Sequence, residues 1–125
     1  MAISKVHEAL THARNAGADL SAKLNYFAHV DTDGDLVLAG DGEHIAGNII
    51  EAAVENKPVT VQFGGIGKVI CAEAITPGAR ISSDADGKAV NSAVGDFEAG
   101  TALGDAASAA GDVISFLWLP GRRHA

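Results

Sequence analysis

The chain has 125 residues, 47% of them hydrophobic but only 5% aromatic, and a formal net charge of −7. That length suits one domain whose thin core of Val, Ile and Leu gains from oligomerisation. Residues 31–55 hold seven acids and no Lys or Arg, which argues against a nucleic-acid partner, and the Arg122–Arg123 pair is too short to reverse it.

Residues 1–20 differ from the rest. Ile3, Val6, Leu10 and Ala13 fall near helical spacing, and Gly17 is a possible stop. The stripe is too narrow for a stable isolated helix. Two readings stay open: an arm that orders against a partner, or a short helix packed on its own domain. Ile3, Val6, Leu10 and Leu20 are the apolar set of this segment, and its charges cancel, with Lys5 and Arg14 against Glu8 and Asp19. Strand addition to a sheet edge and a helix laid in a groove are both open as binding modes.

Strand signals follow. KLNYFAHV puts Leu24, Tyr26, Ala28 and Val30 on one face, DTDG makes a turn, and DLVLAG returns. HIAGNII is a third strand, and EAAVENKP is a polar connection with room for one helical turn. Pro58 opens the next strand, VTVQF, with Val59, Val61 and Phe63 inward. GGIG interrupts, KVICAEAI continues as strand, and Pro77-Gly78 turns the chain. ARISS and KAVNS form a hairpin, and FEAGTAL is another strand. GDAASAAGD is a small-residue loop. VISFLWL, apolar at every position but Ser115, is expected to be buried on both faces. IIEAAVENKPVTVQF and ALGDAASAAGDVISF align at an offset of 54, Val59 on Val113, which suggests a duplication.

The chemical motifs fail on inspection. Asp31, Asp33 and Asp35 fit the first calcium-loop positions, but Leu36 stands where glycine is needed and Gly42 where glutamate is needed. Asp86-Gly87 is a hairpin tip. GGIGK lacks the first glycine and the Ser/Thr of a phosphate loop, since Gln62 and Val69 stand there, and reads as a bulge or corner. His7, His12, His29, His44 and His124 show no zinc spacing. Cys71, the only cysteine, reads as a buried hydrophobe. No nucleophile signature is present. The expectation is a non-enzyme with no metal and no cofactor. MAISKVHEAL has no secretory core, and VISFLWL falls far short of the roughly 20 residues of a spanning helix. A soluble chain with no membrane address is expected.

The order of these segments resembles the capsid cement, or head decoration, proteins of tailed bacteriophages. ADLSAKLNYFAHVDTDGDLVLAG, PVTVQFGGIGKVICAEAITPGARISSDADGKAV and GTALGDAASAAGDVISFLWL carry the resemblance, with turn residues Gly34, Gly64, Gly78, Asp86, Gly87, Gly100 and Gly111. The resemblance implies a mainly β, compact β-barrel or β-tulip-like single domain with little helix. Residues 1–20 are then an N-terminal arm, 21–120 the decoration domain and 121–125 a tail. It also implies a homotrimer on the outer surface of the virion, clamping neighbouring copies of the major capsid protein. The rival readings are a β-barrel module for a small ligand, which needs converging polar groups in a pocket, and a small hydrolase, which needs a triad or paired carboxylates.

Overall fold

The computed structural model describes residues 10–103 and 109–123. The described strands are β1 (Thr11–Asn15), β2 (Phe27–Val30), β3 (Leu36–Leu38), β4 (Gly47–Glu51), β5 (Pro58–Gln62), β6 (Ile66–Ile70), β7 (Arg80–Ser83), β8 (Ala89–Asn91), β9 (Phe97–Ala102) and β10 (Val113–Arg123). No helix occurs among the described residues. Short alternating runs punctuated by Gly, Asp and Pro favour this outcome. The chain is mainly β, as its sequence pattern and its resemblance both implied.

The strands form two antiparallel sheets ordered β1-β5-β4-β2-β3 and β6-β10-β9-β7-β8. Adding five to each strand number of the first sheet gives the second. Each sheet curls until its ends touch at one parallel bridge, Ala16 to Leu36 in the first and Cys71 to Ala89 in the second. The architecture is therefore two curled lobes. It is not one closed barrel, because a single bridge in each lobe replaces the ladder that closure requires.

The equivalence extends to single hydrogen bonds. Asn15 opposite Pro58 corresponds to Ile70 opposite Val113, a shift of 55 residues. Between these strands, Val30 opposite Leu36 corresponds to Ser83 opposite Ala89, a shift of 53. Asp31 Oδ1 accepts the amides of Asp33 and Asp35, each at 2.9 Å. Asp84 Oδ1 accepts those of Asp86 and Lys88, at 2.8 and 2.9 Å. Ala16 N–H donates to Lys57 O as Cys71 N–H donates to Asp112 O. Buried Ala16, Leu20, Ala28, Leu36, Ile49, Val59 and Val61 line the first lobe, and Cys71, Ile75, Ile81, Ala89, Ala102, Ile114 and Phe116 take their places in the second.

The duplication is thus present, but an offset of 54 is wrong by one residue at the β5/β10 position. It sets buried Val59 against exposed Val113, and in a strand a one-residue slip reverses every face. Ile114 is the true counterpart of Val59.

Other expectations also change. Thr11–Asn15 is a strand paired with β5, and Leu20 is 1% exposed in the first core, so residues 11–20 belong to the body and neither form a helix nor hang free. Thr11, Ala13 and Arg14 are exposed while β5 supplies the buried Val59 and Val61, so pairing overrides the weak helical spacing. Asn56 turns the 52–57 connection with φ 67°, without a helical turn. β2 starts only at Phe27, because Asn25 is left-handed at φ 69° and Leu24 is exposed. Phe63 lies past the end of β5 and is half-buried. β6 ends at Ile70.

Gly47 and Gly100 are equivalent and sit inside β4 and β9. A Cβ on Gly47 would meet Gln62 O at 2.6 Å, and one on Gly100 would collide with Leu117 O. Gly100→Ala is expected to destabilise the protein by about 1–3 kcal/mol or more, as overpacking does. Gly78, with φ 87°, has Asn25 as its counterpart, so Gly78→Asn is expected to change stability by less than about 0.5 kcal/mol. Urea midpoints of the two variants check both statements.

Candidate interaction surface

The residues that suggested chemistry are occupied structurally. Asp31 and Asp84 spend their carboxylates on the amides of their own turns, the Asx-turn geometry. Among the described residues no three His, Cys, Asp or Glu side chains converge on a metal-sized site. His12 meets Phe63 edge-on, His44 meets Phe97, and His29 Nε2 lies 3.8 Å from Glu43 Oε2. His7 and His124 lie outside the described residues. Cys71 is fully buried, and burial, helped by the nearby charge of Asp112, pushes its thiol from 9.0 up to about 11. A group so placed is a poor nucleophile. The GGIGK segment links the two lobes. Gln62 Nε2 donates to Gly64 O at 2.8 Å and to Ile66 O at 2.7 Å, which closes the bend.

Among the turn residues, Gly34, Gly78, Gly87 and Gly111 have positive φ. Gly64 does not, and its neighbour Gly65 does. Gly100 is no turn residue, since it lies within β9. Asp86 is at a hairpin tip, where its amide donates to Asp84. Of the arm residues, Leu20 is spent in the core. Leu10 is exposed and lies over Gly64, within 3.1 Å of where a Cβ would stand there. Ile3 and Val6 lie outside the described residues.

Contact surface appears where the lobes meet. Phe27 of the first lobe inserts among second-lobe side chains, edge-on to Phe116 at 5.6 Å and to Trp118 at 6.0 Å. Trp118 Nε1 donates to Asn48 Oδ1 at 2.9 Å. Beside this junction opens a cleft of about 390 Å³ lined by Leu24, Asn48, Ile50, Gln62, Ile66 and Lys68, among others. Among the described residues Asn48 Nδ2 has no hydrogen-bond partner.

The cleft runs into the outward face of the second sheet. β10 alternates, with Ile114, Phe116 and Trp118 inward and Val113, Leu117 and Leu119 outward, 40–47% exposed. This run is therefore not buried on both faces. Ile66, opposite Leu117 on β6, is 62% exposed. Sequence reasoning missed this face because a run apolar at six of its seven positions looks the same whether its outer side meets a layer of the same chain or none. The polar and exposed counterpart of Ile66, Thr11, was the available signal.

A family model described as phage cement protein matches residues 10–116. Among solved structures, the head fiber gp8.5 N base of bacteriophage phi29 is similar with a TM-score of 0.69 and 15% identity, covering 94% of this chain and 98% of that one. At that identity the likeness is one of fold. No curated protein sequence matches.

The raised Cys71 thiol has two measurable consequences. Its stabilising contribution is complete below pH 9 and is lost as the pH climbs from there toward 11, because the unfolded thiol ionises first. At pH 8, labelling with a disulfide reagent is expected to be about a hundredfold or more slower in the folded protein than in urea, from the thiolate fraction alone.

Proposed function

The chain belongs to the phage cement protein family, and from that premise we propose that it binds the outer surface of a phage head, bridges neighbouring major capsid subunits as a trimer, and stabilises the shell without catalysis. That it is a structural protein of the capsid exterior follows from the family; the bridging, the trimer and the contact residues are the proposal. The observation that carries it is the family match, which spans both lobes. The structure supports it in two ways. The candidate catalytic side chains are engaged in turns, ring contacts and core. Several exposed apolar residues, Ile66, Val113 and Leu117 among them, lie on the paired strands β6 and β10. A decoration protein with several weak contacts gains from engaging them together, since each bound contact raises the effective concentration of the next.

The N-terminal segment is proposed as one such contact, with Ile3, Val6 and Leu10 as its apolar anchors. Leu20 drops out because it fills the first core. Contact through these side chains gains free energy only where binding buries them.

Purified protein mixed with undecorated heads, imaged and titrated, tests the reading. Deleting residues 2–9 is expected to leave the melting temperature unchanged and to weaken head binding by about tenfold or more. Deleting residues 2–16 is expected to unfold the first lobe, because it removes β1 and the buried Ala16 bridge. If the 2–9 deletion saturates heads with unchanged affinity, the segment is not an anchor. If the intact chain binds no head, the cement reading itself fails.

A further inference from the structure

The cleft beside the lobe junction differs from the rest of this acidic surface. Leu24, Ile50 and Ile66 wall it and are 52%, 36% and 62% exposed. Its lining holds no acid and one base, Lys68, in a chain of net charge −7. Among the described residues no ion pair engages the Lys68 ammonium. The duplication shows that these side chains are no demand of the fold. Ile66 and Lys68 on β6 correspond to Thr11 and Ala13 on β1, so an equivalent strand forms with neither the exposed isoleucine nor the lysine. Large aliphatic groups left in water recover free energy when another surface covers them.

The backbone of β6 adds a second feature. In an antiparallel pair, hydrogen-bonded and non-hydrogen-bonded positions alternate. Gly65 O accepts from Trp118 N–H and Cys71 N–H donates to Asp112 O, so the odd-numbered positions of this ladder bond to β10. The even-numbered ones turn their N–H and C=O the other way. Gln62 Nε2 donates to Ile66 O at 2.7 Å, and Ile70 N–H donates to Asn25 O at 2.9 Å. Lys68 lies between them, and among the described residues nothing bonds to its main-chain N–H or C=O. The cleft therefore opens on free strand edge, the feature to which an extended segment adds as a further strand.

Charge and place identify the occupant. A chain of the capsid exterior has the shell as the surface that every bound copy meets, and a lone lysine in a cleft without acids is complementary to a carboxylate. We infer that an extended segment of the major capsid protein adds to β6 in this cleft. Lys68 pairs with a carboxylate of that segment, and an aliphatic side chain two residues away, on the same face, packs among Leu24, Ile50 and Ile66. This names a shell contact for the proposed function and rests on that reading.

The test combines head binding with hydrogen exchange. It compares the intact chain, Lys68→Glu and, as a control, Lys57→Glu, which makes the same change of net charge at an exposed lysine outside the cleft. Melting curves verify folding. The intact chain is expected to bind undecorated heads, Lys68→Glu to bind them about tenfold or more weakly, and Lys57→Glu to bind as the intact chain does. Amide exchange at residues 66–70 of the intact chain, read by mass spectrometry, is expected to slow on heads. Equal head binding by the two variants overturns the inference and leaves the cement reading standing. So does exchange at 66–70 that heads leave unchanged. An intact chain that binds no head overturns both. The free protein reads the other occupants. A lower solution mass for Lys68→Glu than for the intact chain assigns the cleft to a second copy. Faster exchange at 66–70 after deletion of residues 2–9 assigns it to the chain's own N-terminal segment. Either result overturns the shell segment as occupant.

Discussion

The molecule depends on how one lobe is pinned to the other. Phe27 leaves the first sheet and enters the second lobe's core against Phe116 and Trp118, while the indole N–H of Trp118 returns a bond to Asn48. Edge-on aromatic contacts of this kind add about 0.5–1.5 kcal/mol beyond the area they bury. They also fix angle, which aliphatic contact does not. The counterpart of Phe27 is Arg80 and that of Trp118 is Phe63, so plug and socket occur once each. The two lobes are alike in backbone and opposite in role at their junction.

Their cores show how far side chains diverge over one backbone. Where the first lobe holds Leu36 and Ile49, the second holds Ala89 and Ala102. Where the first holds Ala28 and Val61, the second holds Ile81 and Phe116. Large and small have exchanged places with the total roughly kept, the kind of change that cores tolerate best. Neither lobe has many aromatics, and each is small, so each leans on the junction for burial.

Much of the strand pattern was legible. Period-2 runs, Asp-Gly turns and the proline at 58 mark β5, β7, β8 and β9 from residue types alone. The repeat is legible too, outside the stretches that align at an offset of 54. D-x-D-G, then glycine eight and thirteen residues on, occurs at 31–47 and again at 84–100. Short side chains are needed at those points for hydrogen-bonding and contact reasons, so they persist where apolar residues drift. Two things were not legible. The first is β1, whose strand identity comes entirely from pairing with β5, 47 residues away between Thr11 and Pro58. The second is the outward face of β10, because an apolar run carries no information about what lies on its far side.

The repeated topology also shapes how the chain reaches its native state. Every strand has a twin with an equivalent hydrogen-bonding register, so a nascent β1 meets two receptive edges, β5 and β10. Pairing across lobes instead of within them is the characteristic kinetic error of such chains. Sequence divergence is the safeguard. The first lobe's inward Val59 and Val61 and the second's Ile114 and Phe116 differ in bulk, so an exchanged strand finds a core of the wrong volume. Divergence between the halves thus rejects the wrong partner during folding as well as tuning the finished surfaces.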